Sequence, residues 1–475
     1  MPSKPATRWS LFGGDLGGKS NVAQVESRTN LYLEVLPIGE KGQIVAYPTP
    51  GLGSAVISNG TNPIRAMRVL NGILYFVAYN NLYKAAPPGW AVTQIMTLAT
   101  TSGNVVMTDN ATQIMFVDGS QGYIYNTQTL VGSIIGDSNF PAGAQTCAYQ
   151  DGYFIVEKQG SRQFWASQQY DGLTWTPLLF ATKEQYSDNI VAVSADKGVV
   201  KVWGNSSTEF WNSSGSIDFP YLRIQGTTVQ TGLAAAYSLA FAGEMVFFLG
   251  KSQSGDVRVF VLDGYVPTAV STPALDHRIA TFATKSDAVG MSYVMDGHIF
   301  YQISFPSQGE SWLFDYTTSI KLGYPVWTRM KSSGMAMYLG YIAVNLNGVT
   351  YIGSASTGKI YPLLRDTYTE DNGAIYREIV SQHLYQGGNR IFLNKLQFEV
   401  EVGVGTPSDE NPVLAVEVSK DGGYTYLAPV NLTLGGQGLY KTRCQVRRLG
   451  MARDWVFRIS TADPVKLSFL GADVS

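Results

Sequence analysis

The chain has 475 residues, a formal net charge of −2 and 15% charged residues, below the roughly 25% usual in soluble proteins. At about 150 residues per domain there is room for two or three domains. A near-neutral balance excludes a global field that would draw the whole molecule to nucleic acid or membrane, so any such attraction must be local.

Fifty glycines, 28 tyrosines and 9 tryptophans take the place of the missing charges. That profile suits strands, tight turns and large contact surfaces. Cys147 and Cys444 lie far apart and make no disulfide framework, so they read as buried or inert thiols. His277, His298 and His383 have no ligand-pair spacing, and no metal or other cofactor is expected.

Met1 to Asp15 contains no apolar run and hence no secretory signal, so a soluble protein made in the cytoplasm is expected. Gly13–Ser20, GGDLGGKS, satisfies the phosphate-loop pattern. That loop needs a buried strand before it and a long helix after it, whereas the chain soon turns extended at Leu31–Leu36; flexible glycines explain it better. Residues 1–45 match no repeat and are expected to form an extended arm packed on the rest of the chain.

From Asn71 to Asn347 a polar turn followed by a short Tyr/Phe/Val-rich strand occurs seven times. The turns are Asn71-Gly72, Asp109-Asn110, Asp151-Gly152, Lys197-Gly198, Ala242-Gly243, Asp296-Gly297 and Asn347-Gly348. Their spacings, 38, 42, 46, 45, 54 and 51 residues, are close to one four-stranded propeller blade. Segments such as Gly72–Val77, Gly152–Val156 and Val199–Trp203 lead to second aromatic strands at Leu82–Lys84, Gln163–Ala166 and Glu209–Asn212. Together they read as the inner hairpin of each blade. Gly232–Gly250 is the most membrane-like stretch, but Glu244 and Gly243 interrupt it. It falls short of the ~20 apolar residues that span a bilayer and reads as two buried strands around a turn. Residues 46–371 are thus expected to form a β-propeller of six or seven blades.

Beyond Asn372 the strands lengthen and alternate more cleanly, as at Leu396–Val402, Val413–Ser419 and Trp455–Ser460. Residues 372–475 are expected to form a β-sandwich, giving an all-β chain. Ser419–Tyr426, SKDGGYTY, fits the Asp-box pattern of sialidase-like propellers, and Tyr170–Trp175 echoes it one residue short. Such a box is a hairpin turn capped by its own carboxylate, not a catalytic signal. Sugar hydrolysis needs paired carboxylates; Asp188, Glu209, Asp256 and Asp315 are scattered, and no G-x-S-x-G elbow or triad-like histidine accompanies them.

Leu439 to Lys466 holds seven Lys/Arg against two Asp. Read as a strand, it places Lys441, Arg443 and Arg447 on one face and Tyr440, Thr442, Cys444 and Val446 on the other. On the next strand Trp455, Phe457 and Ile459 point inward, and Arg458 outward with the basic row. The row is either a solvated sandwich face or a contact with an acidic partner or DNA phosphates.

Three blocks resemble the tail hub, or nozzle, proteins of short-tailed phages (podoviruses), the packaged-DNA stabilisation protein family. They are Arg28–Gly53 with its Asn-x-Tyr segment and Pro-Gly, Gly204–Gly215 with the strand Val257–Leu262 beyond it, and the C-terminal run LYKTRCQVRRLGMARDWVFRISTADPVKLSFLGADV. The resemblance spans most of the chain in order and brings no catalytic residues. It implies a homohexameric virion ring below the head-to-tail adaptor that extends the DNA channel, helps retain packaged DNA and carries tail fibres, spikes or a needle. The expected partners are therefore copies of the chain, the adaptor, those appendages and, non-specifically, genomic DNA, with assembly in the host cytoplasm and no stable membrane insertion. On this reading Lys441, Arg443, Arg447 and Arg458 are assigned to a subunit or adaptor interface. The rival expectation is a propeller glycosidase of the sialidase type.

Overall fold

The computed structural model describes residues 7–9, 11–12, 18, 20–37, 42–216, 218–407 and 409–475. Between Ile64 and Leu364 they form seven consecutive antiparallel sheets, the blades of a propeller. Blade 1, for example, runs Ile64–Leu70, Ile73–Ala78, Asn81–Ala85 and Thr93–Thr97 from axis to rim. In blade 5 the inner position is shared by Thr231–Leu233 and Ala240–Ala242, which both pair with Met245–Ser252.

The repeated turns join the first strand of each blade to the second. Asn71-Gly72, Asp151-Gly152, Lys197-Gly198, Asp296-Gly297 and Asn347-Gly348 have positive φ at both residues, from 48° to 95°. This is the two-residue hairpin turn whose twist matches the strands it joins. The strand pair expected to be the inner hairpin is instead the middle pair. The innermost strand precedes the turn, as Ile64–Leu70 precedes Asn71. The middle strands packed between neighbouring blades are buried on both faces, as at Ile73–Ala78 and Val199–Gly204. A doubly buried strand reads as an unbroken apolar run, so it dominates the sequence signal.

The ring closes through the N-terminal part of the chain. Ile57–Ser58 and Gly51–Leu52 pair with Lys359–Leu364 and supply the outer edge of blade 7. Gly51 is required there because a Cβ would lie 2.2 Å from the Thr367 carbonyl oxygen.

The C-terminal residues form a sandwich of two sheets. One orders Leu31–Val35, Ile44–Pro48, Phe469–Val474, Ile391–Val400 and Gln445–Ala452; the other contains Arg377–Val380, Asp454–Thr461, Val413–Ser419 and Val430–Thr433. Its core joins Trp455, Phe457, Ile459 and Val416 to Leu396, Phe398 and Phe469, all nearly inaccessible, and takes in Trp9, Leu11, Leu31 and Leu33 from the N-terminal segment. Of the described residues before 46, Trp9, Leu11, Leu31 and Leu33 are thus woven into the sandwich core rather than laid on it.

One short strand stitches the two bodies together. Ser27–Thr29 pairs in parallel with blade 6 (Thr29 opposite Arg329) and antiparallel with Arg377–Val380 of the sandwich. The next residue, Asn30, has φ 55° and sends its amide to the carbonyls of Lys331 and Tyr376, each at 2.8 Å, while its side-chain oxygen accepts from Lys331 N at 3.0 Å. Thr328 and Thr318 of blade 6 add hydroxyl bonds to the carbonyls of Leu31 and Leu33.

Asn30→Ala strands three partly buried backbone groups and forces alanine into a left-handed conformation. It is expected to cost about 3 kcal/mol, read as a lower urea midpoint. A loss below about 1 kcal/mol would show that the stitch does not depend on this side chain.

Candidate functional site

Two regions offer themselves as functional: the axial channel and the cation-rich end of the sandwich. The channel has a volume of about 890 Å³ and is walled by the inner strands of all seven blades. Among the described residues, no further strand pairs with the edges that these inner strands turn to the channel. Along inner strands roughly 16 Å long this volume gives a bore of order 10 Å. Duplex DNA, whose major groove alone is about 12 Å wide, cannot pass through it.

Charges in the channel are already partnered. Asp109 accepts from Arg68 Nε at 2.6 Å, and Asp196 lies 3.3 Å from Lys201 Nζ. At the end away from the turns, the connections between blades are bolted by buried polar groups. Arg65 donates to the carbonyls of Tyr79, Thr100, Ser102 and Gly103. Asp118 accepts from Thr100, Ser120, Gln121 and Tyr123; burial opposes its ionisation, but these bonds hold it below the usual carboxylate range. Lys183, fully buried, pairs with Asp188 and Ser207. Glu157 accepts from Gln145 N, Thr146 N and the Thr146 hydroxyl, yet burial pushes its carboxyl up to about 7. Tyr237, from the turn Ala236–Ser238, faces these groups; burial, then Glu157, raises its hydroxyl to about 12. These carboxylates serve the ring's joints.

The motifs resolve into local structure. Of the phosphate-loop pattern, residues 13–17 and Lys19 lie outside the described residues. Immediately after the pattern comes a turn, with Ala23 N and Gln24 N donating to Ser20 O, and then the strand Ser27–Thr29 rather than a helix. Asp421 of the Asp box accepts from Tyr424 N, Thr425 N, Thr425 Oγ1 and Ser419 Oγ, and the Thr425 bonds lead in lowering its carboxyl to about 2. The box caps a turn in the sandwich, not in the propeller. In the blade 3 echo, Asp171 caps Leu173 and Thr174 while Trp175 is buried. Cys147 and Cys444 are buried in separate bodies, and burial raises both thiols, Cys444 to about 11. Among the described residues no helix is long and apolar enough to cross a membrane.

The basic row is rearranged. The strand begins at Gln445, so Lys441 and Arg443 sit in the preceding loop, both exposed. Tyr440, expected inward, is 75% exposed and packs over Gly403. Cys444 and Val446 are buried and Arg447 is exposed. Arg458 is not in line with Arg447, because its strand belongs to the opposite sheet of the sandwich. It lies 3.9 Å over the Tyr426 ring and is bound by Glu417 and Glu378. Alternation at Lys441–Arg447 imitates a strand, but the partner strand Ile391–Val400 bonds no further along than Cys444, whose carbonyl accepts from Phe398 N at 2.9 Å. Sequence reasoning missed Arg448 and Arg453, exposed on the same stretch as Arg447; the run of cations was the signal for them.

The chain matches two family models, one described as bacteriophage P22 Gp10, beta-propeller, over residues 29–368, and one as bacteriophage P22 Gp10, beta-sandwich, over residues 376–475. No curated protein matches it. Similar solved structures include a chain of the mitotic checkpoint complex, with 10% identity, 70% of this chain and 98% of that one covered, and a TM-score of 0.41. The computationally designed Ika8 protein shows 10% identity, 75% and 99% coverage and a TM-score of 0.40. The Pan2 WD40 domain of Neurospora crassa shows 8%, 64% and 89%, and 0.41.

A buried carboxyl raised to about 7 favours the fold in its neutral form. Its contribution is full below the ordinary Glu value of 4.5 and is lost as pH rises through 7. Burial raises Glu370 to about 7 as well. Glu157→Gln should therefore flatten part of the fall in thermal stability between these values; identical pH profiles for variant and wild type would refute the assignment.

Proposed function

Because the chain belongs to the bacteriophage P22 Gp10 family, a family of phage tail structural proteins, we propose that it forms a ring of like subunits, a homohexamer, below the head-to-tail adaptor. In that ring it extends the DNA channel, helps retain the packaged genome and carries fibres, spikes or a needle. The observation that carries this reading is the match of both family models in order, covering the propeller and the sandwich. Physical features support it. The propeller bore is too narrow for duplex DNA, so a conduit would have to lie between copies, which head-to-tail contacts closing by rotation provide. The propeller and sandwich are joined by a continuous hydrogen-bonded sheet, which suits the transmission of displacement between neighbours when DNA is released.

The rival glycosidase reading loses its main support, since the Asp-box turn lies outside the propeller and the channel carboxylates Asp109 and Asp196 are engaged by Arg68 and Lys201. Lys441, Arg443 and Arg447 are proposed as interface residues towards a subunit or the adaptor. Arg458, expected in the same row, lies on the opposite sheet and is bound by Glu417 and Glu378 of its own chain, so it is not proposed as part of that surface.

Arg443→Glu/Arg447→Glu alters two exposed side chains and should leave the circular dichroism spectrum and melting temperature unchanged. Incorporation into tails, followed by sedimentation of particles assembled with the variant, should fall at least tenfold. Particles with normal tails would remove these residues from the interface.

A further inference from the structure

The docking surface can be defined more closely, resting on the tail-component reading. The sandwich sheet that ends at Gln445–Ala452 sets Lys395 opposite Arg447 and Phe392 opposite Met451. All four belong to its outer face, because the alternate pairs Leu396–Val446 and Ile391–Ala452 turn towards the core. Phe392 is 66% and Met451 51% exposed, an aromatic and a thioether side by side in open solvent.

Between these pairs the register slips, so that Arg448 and Leu449 face Asn394 alone. Arg448 has φ 59°, a left-handed conformation that a β-bulge imposes and that costs a non-glycine residue free energy. The bulge leaves two consecutive arginines exposed while Leu449 stays buried. Among the described residues Arg447, Arg448 and Arg453 have no carboxylate within 4.0 Å. Arg458 and Lys466, by contrast, are each paired.

Cations and a bulge on an edge strand can also serve to repel unwanted strand pairing. A merely guarded edge has no use for Phe392 and Met451, which add exposed apolar area. We propose that this face docks an acidic protein segment of another virion component, its carboxylates meeting Arg447, Arg448 and Arg453 and an apolar side chain covering Phe392 and Met451. Arginine and aromatic groups together are the usual anchors of protein interfaces. A phosphate backbone would answer the arginines but leave the apolar pair wet.

The test uses purified full-length protein added to particles assembled without it, with incorporation measured after sedimentation. Binding of a fluorescent 30-base-pair DNA duplex is measured in parallel at about 50 and 200 mM salt. Arg447→Glu/Arg448→Glu and Phe392→Ser/Met451→Ser should each lower incorporation at least tenfold, with neither change affecting the duplex signal. Lys395→Glu, opposite Arg447, is the reserve variant should either pair fail to fold, and the same loss is expected. Wild-type incorporation by both pairs would overturn this surface while leaving the tail assignment standing. Loss of incorporation and duplex binding in the arginine pair, with the apolar pair unaffected, would overturn the protein partner in favour of nucleic acid. Failure of the wild type itself to join particles would overturn the tail assignment and this inference with it.

Discussion

The arrangement of the whole molecule depends on the double pairing of Ser27–Thr29. Three residues lie between the last strand of blade 6 and Arg377–Val380, so one hydrogen-bonded sheet runs from the propeller into the sandwich. Domains joined by a linker ordinarily move relative to one another; here their orientation is set by backbone hydrogen bonds. Buried Arg28, which reaches Glu26 and the Trp327 carbonyl, lies within this seam. Arg377, also buried, secures the far side through the carbonyls of Tyr368 and Asp463. Guanidinium groups suit this role because they satisfy several carbonyls at once and stay charged.

Within the propeller the same economy recurs. Polar side chains at the ends of the middle strands grip the connection that leads in from the preceding blade, as Asp118 grips Thr100 and Glu157 grips Thr146. Groups that in another protein would invite a catalytic reading are consumed in holding blades in register. Such bonding fixes each blade against its neighbour. It also directs attention to the outer surfaces, where the unpartnered cations and exposed apolar side chains lie.

The propeller was legible because its signal is local. Asn-Gly and Asp-Gly turns need positive φ at both positions, and a strand buried on two faces needs an unbroken apolar run; both are written in adjacent residues. The innermost strands, with one edge towards the channel, carry a weaker pattern, so the middle pair was read as the inner hairpin, one place too far in. The candidate interface was legible only as a density of charge. Lys441 and Arg443 alternate with apolar neighbours as strand residues would, yet lie in a loop. Arg447 and Arg458, eleven residues apart, were read as one row although they occupy opposite sheets.

By itself the sequence determined the architecture: an all-β chain, a radial repeat and a separate sandwich, because turn stereochemistry and burial period act over a few residues. It also carried the family resemblance, in blocks such as Arg28–Gly53 whose asparagine and glycine prove to be the stitch and the ring closure. Tertiary structure alone decided which distant strands meet: residues 27–35 with the sandwich, residues 51–58 with blade 7, and Arg448 on a bulge beside Met451. Strand pairing is a contest between surfaces hundreds of residues apart, settled by which edges are free and which faces can be buried together. No local run of residues records its outcome.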